Sequence, residues 1–293
     1  MRIAAGTTLL WIGCLSANLS GGQTLPTPSI APPPAWVDII RTFSEPKPVT
    51  NELSEGVVFI LLDNQVNVAR DEHYHRVIKD LISESGVQHG AQLNLHFDPS
   101  YQELIIHRIT VQRGSNTLDR LQPEKIKVIQ QERDLERHTY DGTLSAILFL
   151  EDVRVGDRID FSYTVRGSNP ILEGRYVDSF FAKWGSPVQR NRFRLVWPAN
   201  RHLGIKNHGL EVQVTTTKTK GLNEYIWDLH DLPAVAEEDS VPSWFNAYPW
   251  VQLSEFASWK DVAEWAARLY PRVVQLPPEM TEKIESWQRS LKQ

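Results

Sequence analysis

Cysteine is nearly missing from this chain. Of 293 residues one is a cysteine, Cys14, and it lies in an apolar N-terminal stretch with the layout of an export signal. Beyond that stretch there is no thiol, which excludes a disulfide, a cysteine–zinc site and a cysteine nucleophile from everything that follows. Long apolar runs are missing too. The N-terminal one is shorter than the roughly 20 residues that a membrane-spanning helix needs. There is no lysine- or arginine-rich block. The formal charge is −5 with both signs mixed along the chain, so nucleic-acid binding is disfavoured. No serine stands in the G-x-S-x-G setting of a nucleophile elbow. No cofactor and no metal are expected.

The start of the chain has the features of export. Arg2 precedes Ile3, Leu9, Leu10, Trp11, Ile12 and Leu15, a positive start and an apolar core as in a signal peptide. Residues 1–22 are read as that signal, with cleavage before Gln23 after the small Ser20, Gly21 and Gly22. Cys14 follows Gly13, as a lipid-attachment cysteine would. Trp11, however, stands three residues earlier, where a lipoprotein signal has a small aliphatic side chain, so cleavage without a lipid is favoured. The expected location is therefore the periplasm or cell envelope, with no membrane span after cleavage. Residues 23–35, with TLPTPSIAPPP, read as a stiff proline-rich spacer. Without disulfides, stability must come from burial. Nine of the ten tryptophans lie beyond the signal, and each can bury about 150–250 Å2.

From Trp36 to about residue 236 the pattern is strand after strand. Gly56–Leu62 is an apolar run, Asp63-Asn64 reads as a turn, and Gln65–Arg70 alternates. Gln92–Phe97 (QLNLHF) and Glu103–Gln112 (ELIIHRITVQ) are further strands, separated by a turn at Asp98-Pro99-Ser100. Many short strands punctuated by Gly, Asn, Asp and Pro predict a mainly β fold, an antiparallel β-sandwich-like domain over 36–236. The character changes over 237–293. An aromatic stretch, Pro242–Phe256, leads into two amphipathic helices, Ser258–Leu269 and Met280–Leu291, so a short α-helical C-terminal extension is expected. Ser258 is the candidate N-cap of the first, with Asp261 three residues on.

Three groups of residues could carry function. The first is Asp152, Arg154 and Asp157 between two strands. Carboxylates there could meet a sugar or cation, but a β-turn with Gly156 at positive φ and Asp157 as its cap is the favoured reading. The second is histidine. His73 and His75 share one side of a strand, and His96 and His107 lie on others. Exposed or hydrogen-bonded histidines are favoured over a metal set. The charged Glu132, Asp134 and Glu136 read as a solvated segment. The third is aromatic: Trp244, Phe245, Tyr248, Trp250, Phe256 and Trp259. These rings suit stacking on a glycan, but anchoring the joint between β domain and helices is favoured.

Ordered motifs add a resemblance. FDPSYQELIIHRITVQR (Phe97–Arg113), YDGTLSAILFLEDVRVGDRIDFSYTVRGSNPILEG (Tyr140–Gly174) and VPSWFNAYPWVQLSEFASWKDVAEWAARLY (Val241–Tyr270) resemble an uncharacterised β-rich domain of bacterial envelope proteins. In these proteins that domain precedes a transglutaminase-like (papain-like thiol hydrolase) domain. The likeness spans roughly Trp36–Tyr270. It implies an accessory domain and the entrance to a catalytic domain whose Cys, His and Asp have no counterparts in this sequence. The expectation is thus an exported, non-catalytic accessory or binding module, with a transglutaminase-like domain, another envelope protein or a glycan as partner. The alternatives are a metal- or carboxylate-dependent hydrolase of envelope polymers, or a half-enzyme completed by a second chain.

Overall fold

The structure is a computed structural model that describes residues 25–41, 56–130, 142–235, 242, 245–270 and 276–290. Residues 1–22 with Cys14, the charged Glu132–Glu136 stretch and Trp244 lie outside the described residues.

The fold is mainly β, as the strand pattern predicts. A nine-stranded sheet forms its backbone. Its strands are β1 (Ser29–Ile30), β2 (Val57–Asn67), β3 (Glu72–Leu81), β5 (Glu103–Arg113), β6 (Asn116–Asp119), β9 (Arg158–Arg166), β11 (Val188–Pro198), β13 (Thr215–Thr219) and β14 (Leu222–Leu232). They run in the order β1-β5-β9-β3-β2-β11-β14-β13, with β6 beside β5. The pairs β1–β5 and β2–β11 are parallel. Two three-stranded sheets complete the architecture. One is β4 (Gln92–Phe97), β8 (Leu144–Phe149) and β7 (Lys127–Gln130); the other is β10 (Val177–Phe181), β15 (Trp250–Ser254) and β12 (Gly204–His208).

Alternation along the long strands puts both cores on one face of the large sheet. Leu104, Ile106, Ile109 and Val111 of β5, with Ile159, Phe161 and Val165 of β9, meet Leu93, Leu95, Phe97, Leu144, Ala146 and Leu148 of the first small sheet. Phe193, Leu195 and Trp197 of β11 and Trp227 of β14 meet Phe180, Val251 and Leu253 of the second. The register fixes the common face: Val66 is opposite both His73 and Leu195, and His73 is opposite Val165. Alternation slips once in β5, between Ile106 and Ile109. There a bulge lies opposite β9 between Ile106 and Arg108, so a side chain is re-aimed without loss of core packing.

The opposite face is polar, and the N-terminal segment crosses it. The proline-rich stretch read as a spacer ends in this crossing. Ser29–Ile30 pairs with β5, and the chain then runs over β3, β2 and β11 as far as Arg41. Gln65 clamps Asp38 through both its backbone N–H (3.0 Å) and its carbonyl (2.8 Å). Ile40 packs with Val58, Ile60, Leu61 and Ile78. Asp63-Asn64, read as a turn, is instead the middle of the unbroken strand β2. Asp63 is buried, and it escapes an unpaired state by meeting Arg192 of the neighbouring strand at 3.1 Å.

The aromatic stretch before the helices also contains sheet. β15 is the central strand of its sheet, hydrogen-bonded to β10 and β12. Helix α1 (Glu84–Gly90) is a short helix of about two turns between β3 and β4, capped by Ser83. Helix α2 (Trp259–Leu269) begins at Ser258, whose hydroxyl accepts from the Asp261 N–H at 3.2 Å, as its sequence predicts. Helix α3 (Pro278–Ser290) has no buried residue. No helix among the described residues is long and apolar enough to cross a membrane.

Candidate functional site

The turn between β8 and β9 is tied to β5. Asp157 is buried and receives a bidentate bond from Arg113 at 2.8 and 2.7 Å, plus the Arg154 N–H at 2.9 Å. Gly156 has φ +89°, the conformation that glycine supplies most easily. Asp152 accepts from Arg113 and from the side chain of Arg154. The Arg113 bonds hold the carboxyls of Asp157 and, with Arg154, of Asp152 below the usual range. Their lone pairs go to arginine within the fold, which is the geometry of a structural turn.

The histidines separate. His73 and His75 do share one face of β3. There His75 stacks on Tyr163 at 4.8 Å and bonds Asn64 Oδ1 at 2.6 Å through Nδ1. His107 occupies the β5 bulge on the opposite face, between the Ala31 carbonyl (2.8 Å) and the Thr164 hydroxyl (2.7 Å). His96 pairs with Ser145 at 2.8 Å. No group of three metal-ligating side chains occurs among the described residues.

Burial pushes the His75 imidazole down to about 3, and the neighbouring His73 adds to the shift. Burial lowers His73 and His107 as well. A histidine depressed on folding contributes stability that is present above its ordinary pKa of 6.5 and is lost as pH falls. From pH 7.5 to 5, His75 alone should remove at most about 2 kcal/mol. Urea unfolding at both pH values checks this: His75→Gln should narrow the gap. An unchanged gap would place the acid sensitivity elsewhere.

The aromatic candidates divide in the same way. Trp250 stacks on His208 at 4.0 Å within the small sheet, and Tyr248 meets Phe181 edge-on at 6.0 Å. Trp259 is 87% exposed. The contact between α2 and the β-rich part is made by one of the candidates, Phe256, with Trp265 and Arg268. Trp265 donates its indole N–H to the Ile171 carbonyl at 2.8 Å and lies 5.6 Å from Phe256. Arg268 bonds Glu173 at 2.7 Å. Beside them runs a groove of about 440 Å3 lined by Leu172, Val177, Phe256, Trp259, Val262 and Trp265 among others.

A larger cleft of about 600 Å3 lies on the polar face of the nine-stranded sheet. Its floor is Tyr74 and Arg76 of β3 with Asp160 and Ser162 of β9. His107, Arg108 and Thr110 come from β5, and Ile39, Ile40 and Arg41 from the crossing N-terminal segment. Arg76 grips Asp160 through two bonds, 3.0 and 2.9 Å, and donates to the Ile40 carbonyl at 2.7 Å. Sequence reasoning missed this site. Its only local signal is charge at alternate strand positions, Arg76 on one strand and Arg158 with Asp160 on another. That pattern equally describes a solvated sheet face.

Comparison with known proteins places the fold. A family model described as "Domain of Unknown Function with solved-structure structure (DUF3857)" matches residues 68–236. This is more than half of the chain, and the chain belongs to that family. Among solved structures it is similar to a "putative protease" from Parabacteroides distasonis ATCC 8503, at 16% identity and a TM-score of 0.62, over 71% of this chain and 42% of that one. It also aligns with Legionella pneumophila aminopeptidase A in complex with aspartic acid, at 11% identity and a TM-score of 0.33, over 70% of this chain and 22% of that one. The first likeness concerns the fold; the second carries no argument. The chain therefore spans less than half the length of either neighbour. No curated protein matches it.

Proposed function

For this member of the DUF3857 family we propose the role of an exported, non-catalytic accessory module, one that holds a transglutaminase-like catalytic domain against its α2 side. The observation that carries this reading is the half-covered surface of α2. Trp265, Phe256 and the Arg268–Glu173 pair fasten one side of the helix to the β-rich part. Trp259 stays exposed at the edge of the apolar groove. Large exposed aromatics beside such a groove are typical anchors for another protein surface. The motif resemblance and the greater length of the solved neighbour support a following domain. The carboxylates of the β8–β9 turn support a non-catalytic reading, because arginines already occupy them.

Two measurements test it. A separately produced transglutaminase-like domain from a protein of this family should bind the chain in calorimetry, and Trp259→Ser should weaken binding at least tenfold. Equal binding by Trp259→Ser would rule out the groove. Hydrolysis or transfer of an amide by the isolated chain would rule out the accessory role.

A separate prediction concerns the joint. Trp265→Ala should expose residues 257–290 to faster limited proteolysis while the β-rich part resists as before, read by mass spectrometry of the fragments. An unaltered cleavage rate would mean that Trp265 does not hold α2.

A further inference from the structure

Among the described residues, the cleft on the polar face presents more positive charge than its side chains neutralise. Four guanidinium groups line it, those of Arg41, Arg76, Arg108 and Arg158. Among the described residues they face two carboxylates: Asp160, which Arg76 grips, and Asp80, which Arg158 grips at 2.6 and 2.8 Å. Arg108 is left short of a full partner. It reaches Asp160 only at 3.6 Å, its side chain is 49% exposed, and it spends its Nε–H on the Thr110 hydroxyl at 3.2 Å. A guanidinium carries five N–H donors, so most of those of Arg108 face the cavity and solvent. Arg41 is exposed at the rim and makes no hydrogen bond or ion pair among the described residues.

The rest of the lining narrows the ligand. Pro33 and Ile39 contribute exposed apolar surface beside the arginines, backed by the buried Ile40 and Ile78. A bare inorganic anion would use none of it. A volume of about 600 Å3 falls within the roughly 300–1,000 Å3 of ordinary ligand sites. Tyr74 is the one Phe, Tyr or Trp in the lining, and it is buried in the floor. Stacking of nucleobases therefore lacks a platform. The Asp160 carboxylate in the floor repels a compact dianion more than single carboxylates spaced along a chain. Arginine forks bind such carboxylates in bidentate fashion.

We propose that this cleft binds an acidic peptide segment with interleaved aliphatic side chains. Its carboxylates meet Arg108 and Arg41, and its apolar side chains lie against Ile39 and Pro33. This goes beyond the accessory role and is independent of it. The cleft is on the face of the large sheet that the small sheets leave open, whereas the α2 groove lies on the outer side of the small sheet covering the other face.

The test is calorimetric titration of the full chain with acetyl-Leu-Glu-Leu-Glu-amide, with its Leu-Gln-Leu-Gln counterpart, and with inorganic phosphate. The glutamate peptide should bind at least tenfold more tightly than the glutamine peptide, and less tightly as salt is raised. Arg108→Gln and Arg41→Gln should each weaken it at least tenfold with an unchanged melting temperature. Several results would overturn the proposal: no binding, equal binding of both peptides, wild-type affinity in both variants, or displacement of the peptide by phosphate at equal concentration, which marks a simple anion hole. Neither variant touches Trp259, so a failure here leaves the α2 docking result unaffected.

Discussion

Arg192→Met should cost about 3–5 kcal/mol of folding stability, because it strands a buried carboxylate. Arg192 of β11 and Asp63 of β2 are opposite each other in the parallel register, 3% and 1% exposed. The guanidinium reaches Asp63 at 3.1 Å and Asp38 of the crossing segment at 2.7 Å. Without it, the nearest donor to Asp63 is the Gln65 amide at 2.8 Å. Burial already raises the Asp63 pKa against the pull of Arg192. An acid raised on folding contributes stability present at low pH and lost as pH rises through its folded pKa. The Arg192→Met deficit should therefore be larger at pH 8 than at pH 5, which is opposite in sign to the His75 effect. Asp63→Leu combined with Arg192→Met should recover most of the loss, since no buried charge is then left unpaired and the Asp38 carboxylate that also loses Arg192 is 61% exposed. Urea unfolding of the three proteins decides it. A single-variant cost below about 1 kcal/mol would mean that water reaches Asp63 freely.

Trp227→Ala should be comparably severe, at about 3–5 kcal/mol. The indole is fully buried and meets Phe180 at 5.2 Å, Phe193 at 5.8 Å and Tyr225 at 6.3 Å. It is the centre of the second core, so its removal leaves a cavity that a paired sheet cannot collapse to fill. Trp227→Phe should cost less than half as much, because the indole N–H has no acceptor among the described residues. Trp197 supplies the contrast. Its N–H donates to the Arg201 carbonyl at 3.0 Å, so Trp197→Phe should lose about 1 kcal/mol more than Trp227→Phe. Thermal melts of the three variants test the order. If Trp227→Phe proved as costly as Trp227→Ala, the loss would come from the shape of the indole rather than from its bulk.

Much of the fold was legible because period and punctuation are local. QLNLHF alternates on the sequence and alternates in burial in β4. Ser258 announces α2 through a hydroxyl three residues from the N–H that it accepts. Gly156 marks the turn before β9, where its φ is +89°. The core face of β5 is visible as Leu104, Ile106, Ile109 and Val111, including the slip that marks its bulge.

The cleft was not legible, because nothing local distinguishes a polar strand face that is covered from one that is solvated. Asp63-Asn64 resembles a turn because Asp and Asn favour turns; only a partner arginine some 130 positions away makes Asp63 tolerable inside a strand. The proline-rich segment resembles a spacer because its own side chains carry no period. The anchors of the residues that follow it, Trp36, Asp38 and Ile40, are Gln65, Arg76, Arg192 and Arg194, which belong to three distant strands. By itself, the sequence determined the β-rich class, the turn at Gly156, the helix cap and the absence of a thiol beyond Cys14, each a property of neighbours in the chain. Only the tertiary structure decided which polar faces are buried, which arginines are already paired and where a cavity is left. Those depend on strand order and register, and pairing across a sheet brings together residues whose separation in sequence carries no signal.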